Sequence, residues 1–132
     1  MEATLNELKS ILNTLELYQD GHYYLDIHKL KQAFHPNAHI VGYYKEEPPF
    51  ADRDQYLESL AAEKSSAESG ESSYIKLLSL DITDTTAVVK VESLIAGTLF
   101  ISQLSMLKID NNWQIVTGLF HGQENKKQLN IT

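Results

Sequence analysis

The chain has 132 residues, 18 acidic and 11 basic side chains, a formal net charge of −7 and no cysteine. That length supports one hydrophobic core without covalent staples, and 42% hydrophobic content argues against disorder. Disulfides, thiolate metal sites and a cysteine nucleophile are excluded, and an acidic surface without a local Lys/Arg cluster repels phosphate backbones, so no nucleic-acid partner is expected.

The opening segment MEATLNELKS lacks the basic start and apolar core of a signal peptide, and no apolar run reaches the ~20 residues of a membrane span. A cytoplasmic protein with a single domain over residues 1–132 is the expectation. The sequon Asn130-Ile131-Thr132 is read as a chance match.

In chain order, Thr4 and Glu7 form a T-x-x-E pattern that predicts a capping box for a first helix. Leu5, Leu8, Ile11, Leu12, Leu15 and Tyr18 recur at helical spacing, with the end falling between Gly21 and Tyr24. Asp26 is placed to cap a second helix with Ile27, Leu30 and Phe34 buried, and Pro36 disfavours helix at His35. A strand over Ala38–Tyr44 follows. KEEPPF reads as a connector, because consecutive prolines do not fit a paired strand.

Asp52 with Gln55 predicts a cap for a third helix carrying Tyr56, Leu57, Leu60 and Ala61. The stretch Lys64–Ser73 is small and polar, without periodicity, and reads as a surface loop. Strands are predicted over Tyr74–Ile82, Ala87–Ala96, Thr98–Ile109 and Trp113–His121, antiparallel where short turns join them. Strict alternation puts Trp113, Ile115, Thr117, Leu119 and His121 on one face of the last strand. Beyond Gln123 the chain is polar and expected to fray. The predicted core is Leu8, Ile11, Leu15, Ile27, Leu30, Phe34, Leu57, Leu60, Val89, Val91, Leu107 and Ile115. Long strands apolar on both faces need cover on both, which predicts a homodimer through the outer face.

The helix-to-strand passage LDIHKLKQAFHPNAHIV at Leu25–Val41, followed by strands ending in WQIVTGLFHG, resembles the nuclear-transport-factor-2-like superfamily. Within it, the chain is most similar to the small bacterial proteins labelled putative lumazine-binding, relatives of polyketide-cyclase-like and ketosteroid-isomerase-like proteins. The resemblance spans nearly the whole chain. It implies an α+β, cystatin-like cone: a strongly curved, mainly antiparallel sheet wrapped on three N-terminal helices, with a pocket between them.

Aligned without gaps over Tyr18–Gly42 against the ketosteroid-isomerase branch, Tyr18 falls on the oxyanion-stabilising phenol. Gly42 falls on the general base, and Ser102, with Ser105 the next polar residue, on the second acid. Neither replacement performs the original role, so steroid-type isomerisation is not supported. Tyr18 equally reads as the end of the core stripe.

Histidine is the remaining acid–base candidate. His39 begins the first strand and His121 ends the last, while His22 and His28 read as exposed helix positions. His35 and His39 have H-x-x-x-H spacing, but Pro36 breaks the helix that would align them, and no metal site is assigned. The candidate ligand-binding residues are Tyr18, His39, Tyr56, Trp113 and His121, between the first and third helices and the concave sheet, with the facing of His39 and His121 on their strands left open by the sequence. Nothing in the residues is specific for a flavin or pterin, and no cofactor is assigned.

Three functions stand side by side: a cone that holds a small apolar or aromatic molecule; a dehydratase-, isomerase- or cyclase-like enzyme using pocket His and Tyr; and a dimerisation module with a plugged cone.

Overall fold

The computed structural model describes residues 2–44, 50–61, 68, 70, 72–95 and 97–124. Three helices, α1 (Glu2–Tyr24), α2 (Ile27–Ala33) and α3 (Arg53–Ala61), accompany six strands. These are β1 (Phe34–Tyr44), β2 (Phe50–Asp52), β3 (Tyr74–Thr83), β4 (Thr86–Ile95), β5 (Thr98–Ile109) and β6 (Asn112–Glu124). Residues 45–49 of the KEEPPF connector and most of the 64–73 stretch lie outside the described residues, as does the tail after Glu124, while Phe50, read as the connector's last residue, opens β2 against Val41.

Local signals in the sequence explain most of the helix ends. Helix α1 runs on to Tyr24, and Leu25 then adopts a left-handed conformation, φ 52°. The Leu25 and Asp26 amides donate to the carbonyls of His22 and Gly21, closing the helix end in the manner of a Schellman motif. Asp26 immediately caps α2, its side chain accepting from the Lys29 amide at 3.2 Å. The two helices meet closely at Gly21, where a Cβ would lie 2.5 Å from Leu30 Cδ2. At α3 the capping box is reciprocal: Asp52 Oδ1 accepts from the Gln55 amide, and Gln55 Oε1 from the Asp52 amide.

The box expected from Thr4 and Glu7 does not form. Helix α1 already starts at Glu2, and both Glu7 oxygens turn to the sheet, accepting from Lys108 Nζ at 2.6 Å and Trp113 Nε1 at 3.0 Å.

The strands form one sheet in the order β2-β1-β6-β5-β4-β3. All neighbours are antiparallel except β1 and β6, which run parallel. β1 begins at Phe34, four residues earlier than the alternation alone suggests. Its ladder with β6 is interrupted between Phe34 and His39, which is where Pro36, lacking an amide hydrogen, can be accommodated.

One bulge changes the reading of β6. Ser105 pairs with Thr117 and Met106 with Ile115, so Val116 is an extra residue. Trp113, Ile115 and Gly118 are buried, whereas Thr117, Leu119 and His121 are exposed. The expectation that Trp113 and His121 share a face is therefore corrected: the faces exchange sequence parity at Val116.

The core gathers Ile11, Leu15, Leu30, Phe34, Leu57, Val89, Val91 and Ile115 as expected, with Ile27 and Leu60 at its margin. Leu8 and Leu107 are not part of it: Leu8 is half-buried, and Leu107 faces outward while its neighbour Met106 is buried instead. Leu5 and Leu12 are also exposed, so the buried stripe of α1 is narrower than the run of leucines implies. Among the described residues no helix is long and apolar enough to cross a membrane.

Candidate functional site

The stripe of α1 that buries Ile11, Leu15 and Tyr18 continues one turn further to His22. The expectation of an exposed His22 is thus overturned: the ring is buried between Tyr18 and the side chain of Tyr56 on α3. Its Nδ1 lies 2.7 Å from the Tyr18 carbonyl and its Nε2 lies 2.6 Å from the Tyr56 hydroxyl. A carbonyl only accepts, so Nδ1 carries the proton and donates. Nε2 is left as the acceptor, and the Tyr56 hydroxyl donates to it. Burial pushes the imidazole down to about 4, against a smaller opposing effect of the Tyr18 carbonyl. The imidazole is neutral at physiological pH, in a single tautomer.

The aromatic rings close around this chain of hydrogen bonds. Tyr18 and His22 meet edge-on with centroids 4.5 Å apart, and Phe34 lies 5.9 Å from both Tyr18 and Tyr56. The Tyr18 hydroxyl reaches the Ser102 hydroxyl on β5 at 3.5 Å. Burial pushes the Tyr18 phenol up, opposed by that hydrogen bond. On β4, the Ser93 hydroxyl is fully buried and has no hydrogen-bond partner among the described residues. Ser93 pairs with Phe100, and Ser102 lies two residues further along β5, so both serines line one part of the inner wall.

The sheet also brings Gly42 beside this cluster, since Gly42 and Ser102 both pair with Phe120. A Cβ at Gly42 would run into the backbone oxygen of Phe120, and Phe120 ring atoms would lie 2.7 Å away. No carboxylate fits there without moving the strand. Tyr18 meets Ser102, while Gly42 lies two strands from Ser102 across Phe120, and of the three only the phenol has acid–base chemistry.

The five residues expected to border one pocket separate into groups. Tyr18 and Tyr56 come together around His22. Trp113 is buried further along α1, with its indole on Glu7 and its carbonyl accepting from Thr14 Oγ1 at 2.7 Å. Glu7 and Tyr18 are eleven residues apart, about 16 Å of helix. His39 and His121 are exposed. Their strand positions alternate with the buried Ala38 and Ile40 and with the inward Gly118, which puts them on the outer face of the sheet. The site residues missed from sequence are His22 and Ser93. His22 is i+4 from Tyr18 and i+7 from Leu15, a signal that was available in the periodicity.

A curved, mainly antiparallel six-stranded sheet packed on three helices is the architecture of nuclear-transport-factor-2-like proteins. The family described as "Putative lumazine-binding" matches residues 6–121, and the chain belongs to that family. Solved structures support the fold. A nuclear-transport-factor-2-like protein of unknown function from Shewanella baltica superposes with a TM-score of 0.81 at 19% identity, over 92% of this chain and 97% of that one. One from Silicibacter pomeroyi gives 0.79 at 22%, over 91% and 98%. Another from Methylobacillus flagellatus gives 0.76 at 23%, over 89% and 93%. No curated protein matches the chain.

Proposed function

We propose that the protein binds a small, largely apolar or aromatic molecule on the concave side of its sheet, beside Tyr18, His22 and Tyr56, without turning it over. The observation that carries this reading is the fully buried Ser93 hydroxyl, unpartnered among the described residues, on the same inner wall as the Tyr18–Ser102 pair. Leaving such a group unmatched costs about 1–3 kcal/mol, and a polar group of a bound molecule would recover it. The surrounding rings offer stacking and edge contacts to a flat apolar ligand. The family's description supports a small-molecule ligand as well.

Binding is favoured over catalysis by the chemistry of the two candidate acid–base groups. An imidazole pushed to about 4 is neutral at pH 7, but it is a weak base, far from the matched pKa that makes proton transfer efficient. A phenol pushed up by burial is a hydrogen-bond donor rather than an acid. Gly42 supplies no base.

The proposed setting is the cytoplasm, and the proposed assembly is a homodimer. The outer face supports this assembly: Tyr43, Val88, Leu107 and Leu119 are exposed there, with Ile101 half-buried among them.

The experiment is a titration of the purified protein with 6,7-dimethyl-8-ribityllumazine and with ligands of similar ring size, followed by calorimetry. Saturable binding weakened by Ser93→Ala and Tyr18→Phe is the expected result, with Ser93→Ala raising the melting temperature of the free protein because it removes the unmatched hydroxyl. Binding unaffected by both substitutions would refute the location.

A further inference from the structure

Strand β3 is the last strand at one end of the sheet, and among the described residues its free edge makes no backbone hydrogen bond. We infer that this edge is an interaction surface for a second copy of the chain, which adds its own β3 antiparallel across a two-fold axis at Ser79.

The edge is long and carries little charge. Over Tyr74–Thr83 the charged side chains are Lys76 and Asp81, both exposed. Neither forms an ion pair with any described residue. Leu77 is 41% exposed, and Ile75, Leu80 and Ile82 are only partly buried against the core. Such an edge presents a row of amides and carbonyls that one further strand can complete.

A bulge decides which strand fits. On the β4 side Leu77 pairs with Val91 and Ser79 with Lys90, so Leu78 is an extra residue. The apolar positions change parity there, from Ile75 and Leu77 before it to Leu80 and Ile82 after it. A regular strand laid along this edge matches one half of β3 and is out of phase with the other. A strand bulged at the same residue stays in phase throughout, and a second copy of β3 is such a strand.

Skipping Leu78 in both copies, as β4 does, sets Ser79 opposite Ser79 of the second copy. Lys76 then faces Asp81 of the other copy, and Asp81 faces Lys76. On the inner side Ile75 meets Ile82 and Leu77 meets Leu80. Opposite charges and aliphatic pairs are the combinations that stabilise neighbouring strands. Sliding the copies by two residues either way shortens the ladder and leaves both charges opposite neutral side chains. The charge pattern is therefore complementary to itself in one register. A contact of one strand with one strand is small among protein interfaces, so it is expected at submillimolar rather than micromolar protein.

Sedimentation equilibrium on the full chain tests the pairing, with Leu119→Glu present throughout so that the outer face does not contribute. Association at submillimolar concentration is expected. Lys76→Asp and Asp81→Lys should each weaken it about tenfold, because both charge pairs become like pairs. An equimolar mixture of the two variants should recover it, since each then faces the opposite charge. Melting curves at micromolar concentration should leave both variants as stable as the parent, because the two positions are exposed. The register has its own readout, because the chain contains no cysteine. Ser79→Cys should cross-link to its copy under oxidised glutathione, since directly opposite residues lie within disulfide reach. Lys76→Cys should not. The inference is overturned if the chain stays monomeric at submillimolar concentration or if the mixture fails to associate. It is also overturned if Lys76→Cys cross-links as readily as Ser79→Cys. These outcomes leave the ligand site, which Ser93→Ala tests, standing or falling on its own.

Discussion

The Tyr56 hydroxyl donates a 2.6 Å hydrogen bond to His22 Nε2, tying the third helix to the first through a buried imidazole. Thirty-four residues separate the two in sequence. The bond fixes the tautomer of His22 together with the Tyr18 carbonyl, and it orients the phenol of Tyr56 at the edge of the aromatic cluster. Tyr56→Phe removes the donor and leaves a buried ring nitrogen unmatched. The expected loss is about 1–3 kcal/mol in urea denaturation, more than an exposed tyrosine would give. A loss below 0.5 kcal/mol on that scale would mean that the bond contributes nothing in solution.

The same histidine sets a pH window. Its ordinary value of 6.5 falls to about 4 in the folded state, so the unfolded chain takes up the proton first as pH drops. Stability is then fully present above about pH 6.5, declines between 6.5 and 4, and levels off below 4 in its His22 component. The ceiling of the effect is on the order of 3 kcal/mol. His22→Phe should be less stable at pH 7 yet show a flatter slope across that window. Glu7, held below its usual 4.5 by hydrogen bonds from Lys108 and Trp113, contributes stability that is lost at lower pH. A second decline starting near pH 4.5 should therefore survive in His22→Phe and disappear in Glu7→Gln.

Gly42 is the position at which an isomerase-like base would have to be rebuilt. The backbone oxygen of Phe120 occupies the path of any Cβ there. Gly42→Asp should lower stability by about 1–3 kcal/mol or more, the usual cost of overpacking. It should also fail to isomerise a β,γ-unsaturated ketosteroid. Measurable isomerisation by this variant would show that the sheet yields more easily than its packing implies.

On the outer face, Leu119 is half exposed and sits beside Gln103 of β5 and Val41 of β1. If copies of the chain pair through this face, Leu119→Glu should place like charges opposite each other across the two-fold axis. Light scattering at micromolar concentration should read a dimer for the native sequence and a monomer for the variant. A native monomer at every concentration would refute the pairing.

Helices and caps were readable because their determinants are local. Asp26 and the Asp52–Gln55 pair do in the structure what their spacing predicts, and the antiparallel strands follow from short turns. The parallel pairing of β1 with β6 depends on contacts some eighty residues apart and has no local signature. The face assignments failed for a related reason. A bulge adds one residue without marking the sequence, so parity carries through to Ile115 and is wrong from Thr117 onward. Alternation alone therefore puts His121 on the face of Trp113, and a stripe that stops at Tyr18 leaves His22 outside although it lies one turn further along the same face. The meeting of Tyr18 with Ser102, 84 residues apart, has no local signature and is suggested only by family resemblance.

The bulge at Val116 can be tested directly with a glutamate scan along β6. With the bulge, Ile115 and Phe120 face inward while Thr117 and His121 face outward, a set that mixes odd and even positions. Strict alternation from Trp113 would instead put Ile115, Thr117 and His121 together. The structure predicts that Thr117→Glu and His121→Glu shift monomer stability by no more than about 0.5 kcal/mol, as expected for exposed positions. Ile115→Glu buries an unpaired carboxylate in the core and should prevent folding. Phe120→Glu should be strongly destabilising, because it loses the contact with Phe100 at 6.0 Å and puts charge beside Gly42. Melting curves on the four variants decide between the two patterns. If Thr117→Glu and His121→Glu unfold the chain while Phe120→Glu is tolerated, β6 has no bulge, and the outward placement of His121 falls with it.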